Sequence, residues 1–172
     1  MSKNYRSMIE KMHECQLSRL TEISIEDGRL CFGNAPPTKK RGLYWLYTSY
    51  SNDEFLSSTN HPKKGSVPFK ELIEQHSQFN NVCSISVCGY RLVYNGVTVD
   101  LRDRIRQEIN GGASPGPLAI RLSSLNDLSK WRVSFVLWTD IDFDSPHEYR
   151  KYSKVIERLW RIHYGWPILC RS

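Results

Sequence analysis

Three features of the chain predict an α+β fold with a small, mostly antiparallel central sheet flanked by helices. Segments 42–50, 83–97 and 131–139 are dense in β-branched and aromatic residues, the composition of strands. Segments 3–20, 99–110 and 147–163 read as helices. The two kinds of segment follow one another as strand, insertion, hairpin, helix, strand and helix, without the regular alternation of a parallel βαβ architecture.

From the N-terminus, Met8, Ile9, Met12, Cys15, Leu17 and Leu20 recur at roughly helical spacing and predict an amphipathic helix over 3–20. Residues 23–32 alternate around Glu26-Asp27-Gly28, a hairpin signal closed by Gly33 and Asn34. Residues 34–41 hold two prolines and then Lys39, Lys40 and Arg41, which read as a basic linker. Segment 42–50, Gly-Leu-Tyr-Trp-Leu-Tyr-Thr-Ser-Tyr, reads as a strand. Residues 51–66, with His61-Pro62-Lys63-Lys64-Gly65, read as an exposed polar loop, and 68–79 as a short helix with proline near its start. Segment 83–97 is β-rich with a turn at Cys88-Gly89-Tyr90. Asp100 is placed to cap the helix over 99–110, and Asn110-Gly111-Gly112 ends it. A loop at 113–117, a strand at 131–139 and an acidic turn at 140–146 lead to the last helix, closed by Gly165 and Pro167. The order divides into an N-terminal helix and hairpin over 1–41 and a domain over 42–172 with an insertion at 51–82.

The 172 residues suffice for a sizeable core. A net charge of +6 and a pI near 9.1 favour polyanions, because Lys and Arg release condensed counterions when they pair with phosphates. No apolar run approaches the roughly 20 residues that cross a bilayer, and the first residues carry no signal-peptide stretch. A cytoplasmic protein with no membrane partner is therefore expected. The five cysteines are odd in number and form no Cys-x-x-Cys pair. Reduced, mostly buried thiols are expected rather than zinc or disulfides.

The chemistry-bearing stretch is Tyr94-Asn95-Gly96-Val97-Thr98-Val99-Asp100-Leu101-Arg102-Asp103-Arg104. A strand bearing an aromatic hydroxyl runs into a helix carrying arginines, which points a Tyr and an Arg into one pocket suited to a phosphate. Upstream, Gly42-Leu43-Tyr44 opens an apolar strand. These two tripeptides resemble the paired motifs of the GIY-YIG nuclease superfamily, in which a Gly-(Ile/Leu/Val)-Tyr and a Tyr-(Ile/Val)-Gly lie on neighbouring strands and a helix with an Arg follows. Tyr44 matches the first tyrosine, Tyr94 and Gly96 the second motif, and Arg104 the helix arginine. Thr98, Leu101 and Ile105 match the flanking pattern. Glu157, on the last helix ahead of Trp166-Pro167, matches the carboxylate that binds the metal.

The resemblance implies a Mg²⁺-dependent (or Mn²⁺-dependent) DNA endonuclease with a restriction, phage or defence role. Tyr44, Tyr94, Arg104 and Glu157 would be catalytic, Glu157 also the metal ligand. In that chemistry Arg104 would hold two phosphate oxygens, and Tyr94 would orient the water or take its proton as tyrosinate. Arg102, Arg106, Arg121, Lys63 and Lys64 are the expected DNA contacts, with double-stranded DNA as partner. Double-strand cleavage from one site per chain would need a homodimer or two sequential nicks.

Three positions depart from the family pattern. Asn95 replaces an apolar residue, Glu108 stands where several relatives carry His and could pair with Arg104, and Cys170 stands where an Asn is expected. The alternative these departures support is a catalytically weakened nucleic-acid-binding module on the same fold. The tyrosines are also farther apart than in the family's usual hairpin. A hairpin of ordinary length would put Ser84 in the first tyrosine's place, with Tyr47 or Tyr90 supplying the hydroxyl.

Overall fold

The computed structural model describes residues 4–59, 65–112 and 116–171. It is α+β, with one six-stranded sheet in the order β2-β1-β6-β3-β5-β4, every strand pair antiparallel. The strands are β1 (Thr21–Glu26), β2 (Arg29–Phe32), β3 (Gly42–Thr48), β4 (Ser86–Val87), β5 (Tyr90–Thr98) and β6 (Trp131–Leu137). The helices are α1 (Tyr5–Ser18), α2 (Asn52–Leu56), α3 (Phe69–His76), α4 (Leu101–Asn110) and α5 (Pro146–Tyr164). No described helix is long and apolar enough to cross a membrane.

Strand β3 lies between β5 and β6, and all seven of its residues are buried. That explains its unbroken apolar and aromatic run: a strand covered on both faces needs no polar alternation. Tyr44 and Leu46 point to one face, where Phe55 of α2, Phe69, Leu72 and Ile73 of α3, and Leu101, Ile105 and Ile109 of α4 join them. Leu43, Trp45 and Tyr47 point to the other, against Met8, Ile9 and Met12 of α1 and Ile156 and Trp160 of α5. The sheet is therefore sandwiched between two helical layers. Strand β1 continues it beyond β6, with Thr21 opposite Val133 and Glu22 opposite Arg132.

Two local expectations change. Residues 51–66 are not wholly loop: Ser51 and Glu54 form a reciprocal capping box that starts α2, and Phe55 is fully buried against Phe69 and Trp131. Pro68 is the N-cap of α3 rather than part of it. Against the expectation of mostly buried thiols, only Cys83 and Cys170 are buried; Cys15 and Cys31 are partly exposed and Cys88 is exposed.

Helix α4 begins at Asp100, whose carboxylate accepts from the Asp103 amide. Helix α5 begins at Ser145, with Pro146 in its first turn. It ends at Gly165, whose φ of +95° and closeness to the Cys83 backbone leave no room for a Cβ. The Tyr149 hydroxyl of α5 lies 2.6 Å from the Gly42 carbonyl and 3.0 Å from the Thr98 carbonyl. It thereby ties the helix to the start of β3 and the end of β5.

Candidate active site

Register decides where the two tyrosines go. Strands β3 and β5 pair with Tyr44 opposite Gly96 and Leu46 opposite Tyr94. Tyr44 and Tyr94 are therefore diagonal neighbours on the α4 face, their rings 6.3 Å apart. Gly96 is what allows this. A Cβ there would sit 2.5 Å from the Tyr44 hydroxyl oxygen, so the phenol crosses over a position with no side chain. Ser84 is exposed and outside the strands. Tyr47 points to the opposite face, towards Gln16, and Tyr90 reaches the Ser129 carbonyl. Of these hydroxyls, only that of Tyr44 sits beside Tyr94.

Helix α4 closes over the pair. The Tyr44 hydroxyl donates to Glu108 Oε1 at 2.7 Å and accepts from Arg104 Nε at 3.2 Å. Arg104 Nη2 pairs with the same Glu108 oxygen at 2.8 Å, as their i, i+4 spacing allows. Glu108 Oε2 accepts the Leu118 amide at 2.7 Å. Glu108 is fully buried, and that burial raises its pKa although Arg104, Tyr44 and the Leu118 amide all favour the carboxylate.

Both phenols are held neutral. Burial is the largest cause that raises the pKa of Tyr44, and Glu108 adds to it; Arg104 opposes them and loses. The same balance pushes Tyr94 far above its ordinary value of 10.0. Desolvation of the Tyr94 anion outweighs the nearby Arg104 cation. As a neutral hydroxyl, Tyr94 can orient a water or phosphate. Its hydroxyl lies 3.5 Å from the Gly116 carbonyl, and Arg104 is a second side-chain partner.

The second half of the site comes from α5. Glu157 Oε1 takes Arg161 Nη2 at 2.8 Å, and Arg161 Nε donates to Asn95 Oδ1 at 2.9 Å. The Cys170 thiol lies 3.3 Å from the same Asn95 oxygen. Asn95 and Cys170 are thus in contact, and Asn95 holds the arginine that holds Glu157. Burial raises the Glu157 pKa against the pull of Arg161, Lys154 and Arg158. Burial likewise pushes the Cys170 thiol to about 12, so it stays protonated.

Tyr44, Tyr94, Arg104 and Glu157 line one open cleft of about 830 Å³. It lies over the C-terminal end of β5, at Gly96, Val97 and Thr98, past the points where Leu169 and Cys170 cover the strand's edge at Val93 and Asn95. Other expected residues lie elsewhere. Arg102 Nε is bound to the Pro36 carbonyl at 2.7 Å, and Arg106 is exposed outside the cleft. Arg121 reaches Asn110 and lines a separate groove beside β1. Lys63 and Lys64 lie outside the described residues. The cations that do line the cleft with Arg104 are Arg150, Lys154, Arg158 and Arg161, all on α5. Sequence reading missed the first three, although their i, i+4, i+8 spacing places them on one helix face.

A divalent cation has a narrow choice here. Among the described residues no group of three or more His, Cys, Asp or Glu side chains converges. Glu157 Oε2 accepts no hydrogen bond among the described residues and belongs to a side chain lining the open cleft. One hard carboxylate oxygen with room for water fits Mg²⁺, which keeps several waters and takes few protein carboxylates. It does not fit zinc, which needs three or four protein donors.

Comparison with known protein families, with characterised proteins and with solved structures found no match.

Proposed function

We propose that the chain is a metal-dependent DNA endonuclease that hydrolyses phosphodiester bonds in the cleft between α4, α5 and the C-terminal end of β5. The observation that carries this reading is the convergence of Tyr44, Tyr94, Arg104 and Glu157 on one cleft from four separate elements. Phosphodiester hydrolysis needs a positioned water, a cation against the non-bridging oxygens and stabilisation of the developing charge. Arg104, partly exposed at the cleft, grips phosphate oxygens. Glu108 and Tyr44 fix the orientation of that guanidinium. The neutral Tyr94 hydroxyl orients the attacking water or a phosphate oxygen. Glu157 would hold Mg²⁺ or Mn²⁺ through Oε2, while Arg161 and Asn95 keep its carboxylate turned to the cleft. When bound, the ion would supply Lewis-acid polarisation of the phosphate.

A second reading, a nucleic-acid-binding module without activity, is favoured by one observation. Arg104 and Glu157 are each already ion-paired, to Glu108 and Arg161. Incubating the protein with supercoiled plasmid, with and without Mg²⁺, separates the two. The nuclease reading expects nicked or linear product that EDTA abolishes. Binding with no cleavage of several DNAs under Mg²⁺ and Mn²⁺ would replace it with the module.

A further inference from the structure

Arg150, Lys154 and Arg158 lie on one exposed face of α5, separated by about 6 Å along the helix axis. That separation is comparable to the distance between neighbouring phosphates in a nucleic-acid strand. Among the described residues none of the three makes a side-chain hydrogen bond or ion pair. The exposed Arg6 and Lys11, by contrast, pair with Glu10 and Asp142. On α5 the like charges instead stand four residues apart, where they repel one another and weaken the helix that carries them. A helix that retains such a stripe beside a cleft is suited to a polyanion that relieves the repulsion. The opposite face of α5 is spent on the core through Tyr149, Ser153, Ile156 and Trp160, so the stripe cannot turn inward.

The stripe also has a fixed relation to the candidate chemistry. Glu157 follows Lys154 by three residues and adjoins Arg158, so its carboxylate stands within the row rather than beyond its end. The cleft continues from this row across Gly96 to Tyr94 and Arg104.

We infer that the exposed face of α5 is the track for the DNA backbone: Arg150, Lys154 and Arg158 each take one of three successive phosphates of a single strand and lay that strand across Glu157. The inference rests on the proposed reading for its choice of DNA as ligand. It gives the contacts a sequence-independent character, since phosphates position a duplex without reporting its bases. Any sequence preference must then come from other surfaces. It also assigns the positioning to α5, in place of the arginines of α4 and the loop lysines.

The test measures binding of a labelled DNA duplex in EDTA, where no cleavage occurs, across a salt series. The triple variant Arg150→Ala, Lys154→Ala, Arg158→Ala is compared with the parent. A control of equal charge loss, Lys70→Ala, Arg106→Ala, Arg121→Ala, removes three exposed cations outside the cleft. Three lost phosphate contacts predict a salt-dependence slope shallower by roughly 3 for the stripe variant, and a change below about 1 for the control. Phosphate-ethylation interference on the parent should mark three consecutive positions on one strand. Equal losses in both variants would overturn the inference and leave only a response to net charge. A parent that binds and cleaves while the stripe variant keeps its slope would also overturn the inference, with the nuclease reading intact. A parent that binds through the stripe but never cleaves would support the track and sink the nuclease reading. Failure of the parent to bind DNA would remove both.

Discussion

Replacing Glu108 with alanine isolates the network that orders the site. Glu108 accepts three hydrogen bonds, from the Tyr44 hydroxyl, Arg104 Nη2 and the Leu118 amide, and is itself fully buried. Tyr44 and Leu118 are also buried, so the truncation strands two donors with no route to water, at about 1–3 kcal/mol each. The Arg104 side chain is 19% exposed at the cleft, so its lost partner is partly replaced by solvent and contributes less, on the order of 1 kcal/mol or below. Relief of the desolvation that raises the Glu108 pKa offsets part of this total. The net expectation is about 3 kcal/mol of lost stability. For a chain of this size that corresponds to a melting temperature lower by about 6–12 °C. Thermal unfolding followed by circular dichroism, with urea titration for the free energy, measures it. Tyr44→Phe alone should cost about 1 kcal/mol, and the double variant should cost clearly less than the sum, because both changes break the same bond. A Glu108→Ala protein within about 2 °C of the parent, or a strictly additive cycle, would refute the network.

Gly96→Ala should destabilise the protein by about 1–3 kcal/mol in urea titration, since the new methyl meets a Tyr44 ring that Glu108 and Arg104 hold in place. An unchanged midpoint would mean that the ring moves freely. Burial holds the carboxyls of Glu108 and Glu157 above their ordinary value of 4.5. The native protein therefore binds these protons more tightly than the unfolded chain. The associated stability is fully present below pH 4.5 and is lost as pH rises through the folded-state values. Glu157→Gln should flatten that decline in urea midpoints taken upward from pH 4.5, and an equally steep curve would contradict the assignment. Under native conditions a thiol reagent should label Cys88 fast and Cys15 and Cys31 more slowly. Cys83, raised to about 11, and Cys170, raised to about 12, should react only on unfolding.

Sequence pattern reached the local features and stopped at the long-range ones. The aromatic strand from Gly42, the Asp100 cap and the amphipathic last helix are written in neighbouring residues; the cap and last helix appear where expected, and the strand ends at Thr48, short of the expected residue 50. The short helix at 52–56 offered one buried residue, Phe55, so no periodicity announced it; its capping box was the available signal. The pairing of β1 with β6 joins residues more than a hundred positions apart, which alternation in either strand cannot specify. The site divides the same way. Tyr44, Tyr94 and Arg104 were legible because the motif and helix offset fix their spacing. The contact between Asn95 and Cys170, 75 residues apart, depends on how α5 and the C-terminal turn pack against β5. The neutrality of both phenols was invisible because desolvation depends on burial, which composition does not give. The stripe on α5 was visible in principle, but only the cleft shows which basic residues face the candidate chemistry.

The most direct measurement is the single-turnover cleavage rate of a labelled DNA duplex under Mg²⁺ for the parent and Glu157→Gln, beside the affinity of each for that duplex. The account predicts a rate at least ~100-fold lower for the variant, with binding essentially unchanged. Equal cleavage rates in the two proteins would contradict it.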